Sequence, residues 1–154
     1  MAGIFALAEC LDDSGQVSYE SSGRPAMPGS YISIAHSKGL AVAAKSDKLV
    51  GVDVEPVDRQ ITPALRKYVL AEIEKDIFTD AETIVAWVVK EAALKLSGRG
   101  VVSPPRSLVQ IKGRMQDVYR CIAEKLRLQV STFSRFGYII AVAYENSDQT
   151  ISIH

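Results

Sequence analysis

Two short stretches hold the residues with chemistry in them. Leu-Val-Gly-Val-Asp-Val-Glu, residues 49–55, alternates Val50, Val52 and Val54 with Gly51, Asp53 and Glu55. A period of two predicts a strand that sends both acids out of one face, roughly 7 Å apart, within reach of one hard cation. Gly51 shares that face and is expected to leave room for a ligand there. The second stretch, residues 80–98, predicts a helix with Asp80 as N-cap, Glu82 in its first turn and Gly98 as its stop. Val85, Val88, Val89, Ala92 and Leu96 form the buried stripe, and Trp87, Glu91 and Lys95 follow one another along its flank at i, i+4 and i+8. If this helix packs on the strand, Glu91 converges with Asp53 and Glu55.

Taken singly, these residues have ordinary readings. Exposed strand faces often carry acids, and a Glu91–Lys95 pair at i, i+4 is a common helix salt bridge worth about 0.2–0.5 kcal/mol. Trp87 reads as packing, His36 as a hairpin residue, Lys90 as a solvated lysine pointing away from the Glu91 edge, and Arg24 as a loop residue. The combination is more specific. Three carboxylates around one site repel each other unless a cation is present. Oxygen-only ligation suits Mg²⁺ or Mn²⁺, and Mg²⁺ usually completes its shell with water and substrate phosphates. His36, Arg24 and Lys95 would supply donors for such phosphates, and one of the carboxylates could act as a general base.

The remaining elements must position these groups. Gly3 to Glu9 reads as a strand, Asp12 to Gly15 as a turn and Gln16 to Glu20 as a returning strand. Ser21 to Gly29 is a loop, followed by a hairpin of Tyr31 to Ala35 and Leu40 to Lys45 around His36-Ser37-Lys38-Gly39. Thr62-Pro63 is an N-cap with proline at N1, opening one helix or two short ones that end near Phe78. Beyond Gly98, Ser107 to Lys112 reads as a strand, Val118 to Ile122 as strand or helix, and Leu126 to Phe133 with Tyr138 to Tyr144 as a closing antiparallel pair. The fold class is α+β: antiparallel strands packed against two or three helices on one face. Residues 1–154 read as a single domain, with 1–48 a reduced N-terminal part and 49–145 the metal-binding core.

Composition limits the function without choosing it. With 154 residues, 47% hydrophobic and 23% charged, the chain can bury a sizeable core. Lys plus Arg equals Asp plus Glu at 18 each, so bulk charge favours no nucleic acid and no membrane. Cys10 and Cys121 fit neither a metal spacing nor a disulfide framework, which points to a reduced, cytoplasmic protein. The N-terminal segment is too short for a signal peptide and lacks its basic flank, and no apolar run is long enough to span a membrane.

Gly-Val-Asp-Val-Glu at 51–55 followed by Trp-Val-Val-Lys-Glu-Ala-Ala-Leu-Lys at 87–95 resembles the signature pair of the 4′-phosphopantetheinyl transferases. Gly-Arg-Pro-Ala-Met-Pro at 23–28, Ser-Ile-Ala-His-Ser at 33–37, and Gly-Arg-Gly at 98–100 with the Ser-Pro-Pro after it resemble further motifs of the surfactin-synthetase-activating type. The resemblance spans about Gly23 to Tyr144. It implies transfer of the phosphopantetheine arm of coenzyme A to a serine of an acyl or peptidyl carrier protein, with release of adenosine 3′,5′-bisphosphate and a need for Mg²⁺. Asp53, Glu55 and Glu91 would hold the metal, Glu91 would also be the base, directly or through water, and Lys95 would stabilise charge on the transferring phosphate. Arg24, His36 and Ser37 would bind coenzyme A phosphates, and Lys90 matches the motif lysine that does so as well. The loop and helix around Thr62 would face the carrier, with Arg59, Arg66 and Lys67 meeting its acidic helix.

Two departures from the family pattern carry consequences. Ala35 stands where the family usually has serine, so one phosphate donor is lost. Only Met1 to Lys48 precede the metal strand, where the two-domain type has a full N-terminal half. Either a homo-oligomer builds its sites between subunits, as the small holo-acyl-carrier-protein synthases do, or the coenzyme A site is weakened. The alternative function is a non-catalytic relative that binds carrier proteins.

Overall fold

The structure, a computed structural model, describes residues 17–99 and 103–145. The first expected strand, the turn after it and Cys10 lie outside these residues. Two antiparallel sheets and one long helix make up the architecture. The smaller sheet, in the order β1-β2-β3-β4, contains β1 (Ser18–Tyr19), β2 (Pro25–Met27), β3 (Ser30–Ser37) and β4 (Leu40–Ser46). The larger sheet, in the order β5-β9-β8-β7-β6, contains β5 (Val50–Pro56), β6 (Val109–Met115), β7 (Val118–Ala123), β8 (Leu126–Arg135) and β9 (Tyr138–Glu145). The helices are α1 (Pro63–Val69), α2 (Thr83–Ser97) and a single turn, α3 (Pro105–Leu108), with a 3₁₀ turn at Glu72–Glu74. No helix among the described residues is long and apolar enough to cross a membrane.

The α+β expectation holds, and the alternation along β5 explains the layering. Val52 and Val54 point to one face, where they pack with Ala35 of β3 and Ile140 of β9. Gly51, Asp53 and Glu55 point to the other, toward α2. The β3–β4 hairpin therefore covers one side of β5 and β9, and α2 covers the other. A hydrogen bond from Val52 N to Ser33 Oγ at 3.0 Å ties the two sheets together.

Gly51 has a different task from the one expected. A Cβ there would fall 2.0 Å from the Ala92 carbonyl oxygen and 2.6 Å from Leu96 N. The space above Gly51 is filled by helix backbone, not held open for a ligand, and only glycine lets α2 come so close. Two residues further along β5, the same approach places Asp53 beside Glu91 and Lys95.

Helix α2 is buried on nearly all sides. Of the expected stripe, Val88, Val89, Ala92 and Leu96 are fully enclosed and Val85 only partly, and Ala86, Lys90 and Ala93 are fully enclosed as well. Each enclosed Val or Leu contributes about 1.5–3 kcal/mol of burial. Gly98 stops the helix in the left-handed conformation at φ 74°, as expected. The start is two residues later than predicted, with Glu82 rather than Asp80 at the cap position. Asp80 pairs with Arg66 Nε at 3.0 Å, and Glu82 accepts from both the backbone N and Oγ1 of Thr79 at 3.0 Å. These bonds hold residues 79–82 as a turn, and the helix begins at Thr83.

The segment before it also differs in part. Thr62 Oγ1 caps α1 by accepting from Leu65 N at 3.1 Å, with Pro63 in the first turn, as expected. Arg66 is not free to meet a partner. Its guanidinium donates to the carbonyls of Lys75, Phe78 and Thr79 and to Thr83 Oγ1, locking the 3₁₀ segment to the start of α2. The loop expected from Ser21 to Gly29 contains β2, and His36 and Ser37 belong to β3 rather than to the turn.

Candidate active site

Asp53 and Glu91 form the buried centre of the acidic group, each 8% exposed. Asp53 Oδ1 accepts from Lys95 Nζ at 2.8 Å, while its Oδ2 is buried without a partner. Glu91 Oε1 is likewise buried and unpartnered. Burial raises the Asp53 carboxyl above its ordinary value, against the opposing pull of Lys95. Burial also pushes Glu91 up to about 7, helped by the neighbouring charges of Asp53 and Glu55 and opposed by Lys95. Two buried carboxylate oxygens with nothing to bond are an expense the fold tolerates for some reason other than packing.

Glu55 is close enough to be felt by both acids but is differently occupied. Ser37 Oγ donates to its Oε2 at 3.3 Å, and the Arg59 guanidinium pairs with its Oε1. Arg59 also lies over the Trp87 ring, 5.0 Å from its centroid, and Trp87 packs against Tyr68 at 5.9 Å. As the side chains stand, no three His, Cys, Asp or Glu residues among the described ones are gathered into a metal-ligating group. The donor set still suits a hard divalent cation. All three groups are carboxylates, two of them with an unpaired buried oxygen, and their mutual repulsion falls when a cation arrives.

Beside the acids lies a cleft of about 200 Å³ between the smaller sheet and the C-terminal end of α2. Arg24, Pro25, Ile32, Ser33, Lys95 and Arg99 line it. Arg24 Nη2 is buried and without a partner, the cationic counterpart of the two orphaned acid oxygens. Its Nη1 lies 3.2 Å from where a Cβ on Gly98 would sit, so the helix-stopping glycine also makes room for it. Lys95 belongs to both places: it bonds Asp53 and lines the cleft. A cationic cleft joined to an acidic centre by one lysine can take an anion at one end and a cation at the other.

The structure thus brings together Asp53, Glu55, Glu91, Lys95 and Ser37, with Arg24 in the adjoining cleft. His36 is exposed on β3, in the same row as Ile32 and Ile34, which line the cleft. Ala35 is buried between the sheets, 2% exposed, so its methyl fills core rather than facing the cleft. Lys90 is not brought to the group, nor is it solvated. Its ammonium is fully buried and bonds Glu74 Oε2 at 2.5 Å on another side of α2. Sequence reasoning assigned Arg59 to a partner surface and missed its hold on Glu55. Glu55 and Arg59 are four residues apart across a proline, where no regular element makes that spacing meaningful.

A family model described as the 4′-phosphopantetheinyl transferase superfamily matches residues 49–143, well over half of the chain. A search of the curated proteins finds no match. The chain belongs to the 4′-phosphopantetheinyl transferase superfamily, and so to a class of transferases that move the phosphopantetheine group. The matched span includes Asp53, Glu55, Glu91 and Lys95 and begins after β4, leaving Arg24, His36 and Ser37 outside it.

Proposed function

We propose that this protein transfers 4′-phosphopantetheine from coenzyme A to a serine of an acyl or peptidyl carrier protein, with Mg²⁺ or Mn²⁺ required. The observation that carries this is the arrangement of orphaned groups. Asp53 Oδ2 and Glu91 Oε1 want a cation, Arg24 Nη2 wants an anion, and Lys95 stands between them. Asp53 and Glu91, joined by Glu55, would hold the divalent ion, which when bound supplies positive charge at the pyrophosphate. Lys95 adds charge where the phosphate leaves, and Arg24 and Arg99, with His36 beyond them, receive the other phosphates of coenzyme A. Ser37 orients Glu55. Lys90 is left out of this set because its ammonium is committed to Glu74.

Glu91 is the group best suited to take the proton from the carrier serine, directly or through a water. Burial and the neighbouring acids hold this carboxyl up at about 7 while no cation is bound, and an arriving cation would favour its basic, deprotonated form. The serine oxygen then bonds the phosphorus of the phosphopantetheine arm, and adenosine 3′,5′-bisphosphate departs with the electrons of the broken P–O bond. Lys67, exposed on α1, is available to a carrier's acidic helix, whereas Arg66 is spent on the fold.

Incubation with coenzyme A, Mg²⁺ and a panel of apo carrier proteins tests the reading. Mass spectrometry should find the phosphopantetheine increment on at least one carrier, and chelation should abolish it. No increment on any carrier, together with no heat of coenzyme A binding in calorimetry, would overturn the proposal in favour of a relative that only docks carriers.

A further inference from the structure

Glu55 differs from the two acids beside it. Asp53 and Glu91 each keep one buried oxygen unbonded, whereas both oxygens of Glu55 are taken, one by Arg59 and one by Ser37. Arg59 is held from two directions, by the carboxylate and by the face of Trp87. It sits in the turn after β5, where its backbone N bonds Pro56 O at 3.2 Å, and its side chain is 38% exposed. Such a side chain can leave without unfolding anything, because the arginine end of the pair reaches solvent although the Glu55 side chain is only 13% exposed.

We propose that Arg59 is a latch on the acidic group. While it grips Glu55, only Asp53 and Glu91 are free to meet a divalent cation. All three acids join only when the guanidinium gives up Glu55 and its place against Trp87. The latch rests on the assignment of Asp53, Glu55 and Glu91 as cation ligands in the proposed function. It explains why three acids that face one site from β5 and α2 are not gathered as they stand. Lys95 does not act in the same way. Its bond to Asp53 leaves Oδ2 free, so cation and lysine can share that carboxylate.

Trp87 is the chain's one tryptophan, which makes the latch visible. The full-length protein, stripped with chelator, is titrated with Mg²⁺ while Trp87 emission is read, and its Mn²⁺ affinity is taken from the free-ion electron paramagnetic resonance signal. The expected result is a saturable change in emission with Mg²⁺ in the parent protein. Arg59→Ala should show no such change and should bind Mn²⁺ at least threefold more tightly. If the parent binds Mn²⁺ but its emission does not respond to Mg²⁺, or if Arg59→Ala binds Mn²⁺ no more tightly, the latch is wrong while the cation site stands. If Asp53→Asn binds Mn²⁺ as well as the parent, or if neither the parent nor Arg59→Ala binds it at all, the cation assignment fails and takes the latch with it.

Discussion

Lys90 and Glu91 are neighbours on one helix and end in opposite kinds of surroundings. Lys90 is wholly buried, and its partner Glu74 is wholly buried too. Glu74 accepts from Lys90, from Ala71 N at 2.8 Å and from Ile111 N at 2.7 Å, so one carboxylate joins α2, the 3₁₀ segment and β6 with nothing left over. Glu91 is nearly as buried, but keeps an oxygen with no partner and has a second acid beside it. The lesson is that burial of charge does not mark a site. A buried charge that is fully satisfied is architecture; one left unsatisfied retains the capacity to bind.

The sharpest way to break this comparison is to remove the unsatisfied group. Glu91→Gln keeps the shape and deletes the charge and the basicity. Transfer to a carrier protein should fall by about 10²–10⁴-fold, the usual contribution of a positioned general base, and further if the cation is also lost. Circular dichroism should stay that of the parent, and the unfolding midpoint should be no lower. A variant that folds and transfers at the parent rate would remove Glu91 from the chemistry.

Next in size is removal of the satisfied group. Lys90→Ala leaves Glu74 charged in a dry interior, and breaking a buried pair this way costs about 3–5 kcal/mol. Urea unfolding should reveal that loss directly. Glu74→Leu combined with Lys90→Met sharpens the point. The double change restores apolar packing but orphans Ala71 N and Ile111 N, at about 1–3 kcal/mol each. It should therefore remain less stable than the parent, which would not follow if Glu74 served Lys90 alone.

Half of this contrast could be read in the chain and half could not. The period of two around Val52 and Val54 gave β5 its faces, and Thr62-Pro63 and Gly98 marked helix ends by chemistry that needs no tertiary context. Asp53 with Glu91 and Lys95 followed once the helix was laid on the strand. Lys90 was misread because helical spacing tells which residues share a face but not how many faces the rest of the fold will cover. The 3₁₀ segment and β6 close over the side where a lone amphipathic helix would keep its lysine wet. Gly51 was misread for the same reason, as an opening rather than the place where two backbones meet. Arg66 looked like a surface cation because three of its five acceptors are carbonyls, which carry no signal in side-chain sequence.

A smaller effect appears in the pH dependence of the metal-free protein. The Glu91 carboxyl rises from an ordinary 4.5 to about 7 on folding. Below pH 4.5 it is protonated in both states and costs nothing. As pH rises toward 7 the unfolded chain releases the proton and the folded one retains it, so stability falls and then levels off. At about 1.4 kcal/mol per pKa unit the loss over about 2.5 units is on the order of 3 kcal/mol by pH 8. With chelator present, Glu91→Gln should be more stable than the parent at pH 8 and nearly equal to it at pH 4.5. A gap that does not change with pH would mean that Glu91 is not held protonated by its surroundings.

The smallest change should come from the other lysine of the helix. Lys95 is 33% exposed at its side chain, and its bond to Asp53 reaches solvent on one side. Lys95→Ala strands Asp53, but that carboxyl is already displaced upward by burial and can take a proton instead of remaining charged. The expected loss is about 1 kcal/mol or less at pH 7 and smaller at pH 5. Mg²⁺ should narrow this gap to the parent by replacing the missing positive charge, whereas the gap for Lys90→Ala, whose orphan lies in a dry core, should stay as wide with Mg²⁺ as without it. Two lysines five residues apart on one helix would then differ severalfold in what they hold up. If urea unfolding finds equal losses for the two, or Mg²⁺ narrows neither gap, the acidic group is ordinary structure and the distinction between the two sides of the helix disappears.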